Sequence, residues 1–143
     1  MNPATAFQIV QLLPLPLWAV WIFLPRSAAS RYLATAEWPW VVLAGAYLAC
    51  FVMAIASGGK IGPDSFSSLS GMMGLFASPW GALTGWVHYL CFDTFVARLI
   101  VNQAPNAGYR LAPVLLATMM FGPMGLLAFY IARPLLGDAG IRH

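Results

Sequence analysis

The side chains with chemical capacity gather in one stretch of this sequence, Gly81-Ala-Leu-Thr-Gly85-Trp-Val-His88-Tyr89-Leu-Cys91-Phe-Asp93-Thr94-Phe-Val-Ala-Arg98. Asp93 is the only acid between Asp64 and Asp138. It falls about fourteen residues into an apolar helical pattern that opens at Ser78-Pro79-Trp80. A carboxyl group that deep in an apolar span costs several kcal/mol unless it is protonated, paired or solvated, so it is expected to face a bundle interior or a ligand cavity. Two readings follow for it: a protonated acid that glues helices together, or a proton donor to a bound ligand. Tyr89 is four residues earlier and shares its helix face, with Trp86 and Ala82 extending the stripe, so Tyr89–Asp93 is the expected local hydrogen bond. His88 is five residues before Asp93, about 140° around the axis. It groups instead with Gly81, Thr84, Gly85 and Phe92. For His88 the alternatives are a hydrogen bond to Gln8 or Gln11, direct participation in chemistry, or metal ligation with Cys91. The last lacks an evident third ligand, so no metal and no other cofactor is expected.

These groups sit in an unusually apolar chain. Its 143 residues include seven Lys or Arg and four Asp or Glu, with 61% apolar types and a mean hydropathy of +0.78. A soluble domain carries roughly 25% charge, so a water-soluble enzyme is excluded. Residues 38–59, 65–92 and 111–132 hold no Lys, Arg, Asp or Glu, and each run can cross a hydrocarbon layer about 30 Å thick. The expected fold is an all-α integral membrane protein, a single polytopic domain over residues 1–143. It is a bundle of about four transmembrane helices with a short interfacial or re-entrant helix before span three.

The four spans are placed at 4–24, 38–56, 79–101 and 111–131. Span one should bend at Pro14 and Pro16. Pro25 to Trp38 reads as a linker, and Trp38-Pro39-Trp40 as an interfacial start for span two. Ser57-Gly58-Gly59-Lys60 ends that span. Over Gly62 to Ala77 the apolar residues Phe66, Leu69, Met72, Met73 and Phe76 recur at helical spacing among serines, which predicts the short extra helix. Ser78 and Pro79 cap span three. Gly122, Pro123 and Gly125 interrupt span four beside Met120 and Phe121, which either fill a core or line an apolar site. Alternating spans divide the cations into Arg26, Arg31, Arg98 and Arg110 on one side and Lys60, Arg133 and Arg142 on the other, a weak bias toward an outward N-terminus.

Other patterns are set aside on physical grounds. Cys50 and Cys91 lie in apolar runs and read as buried thiols. Gly81 and Gly85 form a GxxxG step suited to close helix approach. Gly58-Gly59-Lys60 lacks the rest of a nucleotide loop, and with no basic cluster nucleic acid is not an expected partner. Arg98 is expected to snorkel to headgroups or to pair with Asp64. The apolar run Phe7–Leu24 has no preceding cation, which favours a retained first span over a cleaved signal.

The strings Gly71-Met-Met-Gly-Leu-Phe-Ala-Ser-Pro79-Trp80, Gly85-Trp-Val-His-Tyr-Leu-Cys-Phe-Asp93 and Met120-Phe-Gly-Pro-Met-Gly-Leu resemble the abscisic-acid-deficient-four-like family over residues 7–133. The resemblance implies a carotenoid-linked membrane protein, associated in plants with neoxanthin formation from violaxanthin. Without a plastid leader, this chain looks like a bacterial relative in an inner membrane, acting on or binding another carotenoid or long apolar polyene. The family reaction would be an epoxy-carotenoid isomerisation, in which an acid near the epoxide oxygen and a base near the departing proton act without a redox equivalent. Asp93 is then the candidate acid, Tyr89 its orienter and His88 the base. Trp80, Thr84, Trp86 and Phe92, with Met120 and Phe121, are the candidate substrate-lining residues. Membrane lipid and the polyene are the expected partners, with a homo-oligomer in view. The alternatives are a non-catalytic carotenoid-binding or assembly protein and a small proton-coupled transporter with Asp93 as relay.

Overall fold

The computed structural model describes residues 2–59 and 62–136. The end of span two at Lys60 and the tail beyond Leu136 lie outside the described residues. All regular structure among the described residues is helical: α1 (Pro3–Val10), α2 (Leu15–Phe23), α3 (Ala28–Thr35), α4 (Trp38–Ala56), α5 (Leu69–Phe76), α6 (Pro79–Gln103), α7 (Ala112–Phe121) and α8 (Pro123–Ala132), with single 3₁₀ turns at Pro63–Ser65, Gly108–Leu111 and Arg133–Leu135.

Local chemistry sets most of these boundaries. Asn2 Oδ1 accepts from Thr5 N at 2.8 Å, and Pro3 occupies the first turn of α1. α1 ends at Val10, and the chain passes through tight turns, Leu13 N to Val10 O and Leu15 N to Leu12 O, before α2. Pro14 and Pro16 cannot donate the bonds a continuous helix would need there, so the bend expected in span one is present. The residues expected to form a linker contain α3, whose start is capped by Ser27 Oγ accepting from Ser30 N at 3.0 Å. Ser68 and Ser78 cap α5 and α6 in the same way, through Gly71 N and Gly81 N. α4 keeps the expected limits, and α6 runs two residues past its own.

Two segments are long and apolar enough to cross a membrane, Pro3–Phe23 with its bend and Trp38–Ala56, against the four or so expected. α6 is longer than either but more polar, because it carries His88, Asp93 and Arg98. It touches all seven other helices and separates two apolar clusters. Around its first half Leu83 and Val87 join Ala6, Val10, Cys50 and Trp80. Around its second half Ala97 and Ile100 join Trp18, Trp21, Leu115 and Phe129. Between the clusters, Trp18 Nε1 donates to Thr94 Oγ1 at 3.2 Å and ties α2 to α6.

The stretch expected as one span over 111–131 is instead a hairpin. In an uninterrupted helix residues 118 and 125 would be about 10 Å apart along the axis. Here a Cβ placed on Gly125 would overlap the backbone and hydroxyl of Thr118, and α8 lies back along α7. The reversal happens at Gly122, with φ +50° and ψ −104°, where side-chain-bearing residues are strained. Pro123 cannot continue the hydrogen bonding of α7. Each arm has 10 residues, or about 15 Å, half of a hydrocarbon layer.

This close approach predicts that Gly125→Val will destabilise the fold by about 1–3 kcal/mol, as overpacking does. Thermal unfolding of the detergent-solubilised variant should show the loss, whereas Leu127→Val on the exposed side of α8 should unfold near the parent temperature.

Candidate functional site

Asp93 sits near the middle of α6, 7% exposed, facing the turn of the hairpin. A Cβ on Gly122 would lie 2.6 Å from its Oδ1. The Tyr89 side chain lies beside the carboxyl group and interacts with it, as the helix spacing led one to expect, while Oδ2 is buried without a hydrogen-bond partner among the described residues. Beside it, the Thr94 hydroxyl donates to Leu90 O at 2.6 Å while accepting from Trp18. Asp93 is therefore inside the bundle, as its cost of exposure to hydrocarbon requires, but it meets a helix break and not the main cavity.

That cavity is a cleft of about 790 Å³ between α4, α5 and the first half of α6. Its walls are chiefly apolar, with Tyr47 and Phe51 from α4 and Leu75 and Phe76 from α5. On the α6 side lie Gly81, Thr84, Gly85 and His88. Gly85 allows the Phe76 ring to rest against the α6 backbone, since a Cβ there would overlap the ring. The GxxxG step thus admits α5 closely, which is the role its spacing foretold. His88 lies between aromatics, 4.6 Å from the Phe92 ring centroid and 5.9 Å from that of Tyr47. The Thr84 hydroxyl donates to Trp80 O at 2.8 Å, and His88 is the one imidazole among the described lining residues.

The expected site residues do not converge on one place, although Tyr89 and Asp93 lie side by side. His88 and Thr84 line the cleft. Asp93 faces Gly122. Tyr89 stacks on Trp86, centroids 5.5 Å apart, and Trp86 meets Phe7 of α1, on a face apart from the cleft. Trp80 is buried in the first apolar cluster, while Phe92, Met120 and Phe121 are exposed. The helical angle between His88 and Asp93 already separated those two. Sequence reasoning did not single out Tyr47, Phe51 and Phe76, whose aromatic character was visible but whose convergence needs three helices to meet. It also missed the use of Arg98, whose Nε donates to Ala34 O at 2.8 Å and Nη2 to Thr35 O at 3.2 Å. Arg98 thus caps α3, far along the chain path from Asp64. Cys50 and Cys91 are both free thiols, and among the described residues no cluster of His, Cys, Asp or Glu could hold a metal ion.

The class these features define is an all-α protein with membrane-compatible helices, a central helix that carries the polar side chains and an apolar aromatic cleft. Residues 5–129 match the ABA DEFICIENT 4-like family, and the chain belongs to it. It is 20% identical over 130 residues to Protein ABA DEFICIENT 4, chloroplastic, of Arabidopsis thaliana, covering 87% of this chain and 58% of that relative. The chain thus spans under two thirds of the length of the curated relative it matches. No solved structure matches it.

The contact between Asp93 and the hairpin turn predicts that Gly122→Ala will cost about 1–2 kcal/mol or more, because an L-residue is strained there and its methyl would press on the carboxyl group. Thermal unfolding in detergent should register the loss; an unchanged melting temperature would mean the turn relaxes freely.

Proposed function

We propose that the chain is an integral membrane protein that binds a carotenoid or another long apolar polyene in the α4–α5–α6 cleft. On this reading α1–α2, α4 and α6 cross the bilayer, which would be a bacterial inner membrane. α5 lies at one interface and the α7–α8 hairpin enters about half way. The observation that carries the reading is the cleft itself. Its volume falls in the ~300–1,000 Å³ range of small-molecule sites, and aromatic rings from α4 and α5 offer flat surfaces to a conjugated chain. Phe66 and Phe76, 72% and 50% exposed, lie at its margin, so a ligand can enter from lipid without crossing water. Among the described lining residues, His88 is the one imidazole.

Family membership supports a carotenoid as the ligand class, with epoxy-carotenoid isomerase as the corresponding activity. In that scheme His88 takes the proton from the polyene. The acid, Asp93, would have to act from the far side of α6, with Tyr89 as its orienter. Binding is therefore favoured over two-residue catalysis, since one of the three candidate catalytic side chains lines the cleft. A transporter is the second reading. It is favoured by the buried, unpartnered carboxyl oxygen set against a broken helix, an arrangement that suits ion or proton relay.

Expression of the full chain in carotenoid-producing bacteria tests these readings, by comparing pigments extracted from the membranes and from the purified protein. The expected result is pigment retained in fixed stoichiometry by the parent and reduced by about tenfold in Gly85→Leu, which pushes Phe76 into the cleft. A new isomer that disappears in His88→Gln would add catalysis. Absence of any retained pigment, together with proton flux in liposomes lost in Asp93→Asn, would replace binding with transport.

A further inference from the structure

Folding α8 back along α7 redistributes charge along the molecule. Arg26 follows α2, Arg31 lies in α3, Arg98 is near the end of α6, Arg110 precedes α7 and Arg133 follows α8. With 111–131 as a straight crossing, Arg133 would belong to the opposite end. With the hairpin, all five described arginines collect at one end of the bundle. Aromatic side chains ring the same end: Trp38, Tyr32 and Tyr109 are 50%, 59% and 57% exposed, as in the interfacial belts of membrane proteins.

A second cavity, about 520 Å³, opens at this end between α3, the end of α2 and the end of α6. Arg26, Arg31, Ser30 and Asn102 line it, and among the described residues no carboxylate does. The two arginines are braced. Arg31 Nη1 donates to the backbone oxygen of Arg26 at 2.9 Å. The Arg26 guanidinium lies 5.7 Å from the Tyr109 ring centroid, along Gly108, where a Cβ would come within 3.0 Å of Nε. The opposite wall is braced as well, since Asn102 Nδ2 donates to Ala34 O at 2.9 Å and Arg98 shares that carbonyl. Those bonds occupy the electronegative end of α3, which would otherwise repel an anion. The cavity is left with cationic donors whose planar forks match phosphate oxygens.

We propose that this cavity is a phosphate-binding site, separate from the cleft, in which Arg26 and Arg31 hold the oxyanion of a phosphate ester. Its place beside the aromatic ring favours the headgroup of an anionic lipid, as basic pockets between membrane helices do. A free phosphate offers the same chemistry from the aqueous side.

The test titrates the purified full-length protein in detergent with short-chain phosphatidylglycerol and, separately, with inorganic phosphate, following thermal stability. Saturable stabilisation is expected from at least one probe. Its apparent affinity should fall about tenfold or more in Arg26→Ala and in Arg31→Gln, and by no more than about twofold in Arg110→Ala and Arg133→Ala at the same end. Arg31 is exposed and lies in the middle of α3, so Arg31→Gln keeps the test open if Arg26→Ala fails to fold. Saturation by phosphatidylglycerol alone identifies a lipid as the source, and saturation by inorganic phosphate as well shows that the oxyanion suffices. No saturable response to either probe, an unchanged response in Arg31→Gln, or equal weakening by all four variants would overturn the site.

Discussion

One constraint organises this molecule: a carboxyl group midway along an apolar helix must meet polar matter that hydrocarbon does not supply. The turn between α7 and α8 lies against that group, a Cβ on Gly122 falling 2.6 Å from Oδ1, while Oδ2 stays without a partner among the described residues. Where α7 ends, carbonyls lose their intrahelical partners, and where α8 begins, N–H groups lose theirs. A helix break is stable in an apolar setting only when it is buried in protein. Asp93 and Gly122 lie against each other, so the middle of α6 and the hairpin turn coincide. The two hairpin arms are each about 15 Å long, and the turn between them lies beside the middle of α6.

The same contact divides α6 into working regions. Toward its start, glycines allow α5 to approach and leave an aromatic cleft against α4. At its middle, Thr94 fastens α2 and Asp93 lies against the hairpin turn. Toward its end, Arg98 and Asn102 tie down α3. A helix this polar is retained in an apolar bundle because each polar residue is turned toward a neighbour: Thr94 to Trp18, Arg98 to carbonyls, Asp93 to a helix break. His88 differs from these, being held by aromatic contact.

Much of the helical layout was legible in the sequence because it depends on nearest neighbours along the chain. Serines before α5 and α6, the proline pair in the first segment and the apolar run of α4 act within a few residues, and their elements lie where expected. α3 was missed because its eight residues alternate small and polar types and gain their order from capping and from Arg98, 64 positions away. The separation of His88 from Asp93 was legible too, since about 100° per residue follows from the helix alone.

By itself the sequence determined that the chain is an apolar helical bundle, that Asp93 must be buried and that the helix breaks at Gly122-Pro123. It could not determine the angle of that break. A glycine followed by a proline permits either a kink or a reversal, and the choice rests on whether α8 gains more by continuing or by packing Gly125 against Thr118 and Phe129 into the core. Only the tertiary structure decided for reversal. With it came the position of Arg133, the gathering of arginines at one end and the placement of Asp93 and His88 in different surroundings, because each depends on contacts between residues far apart in the chain.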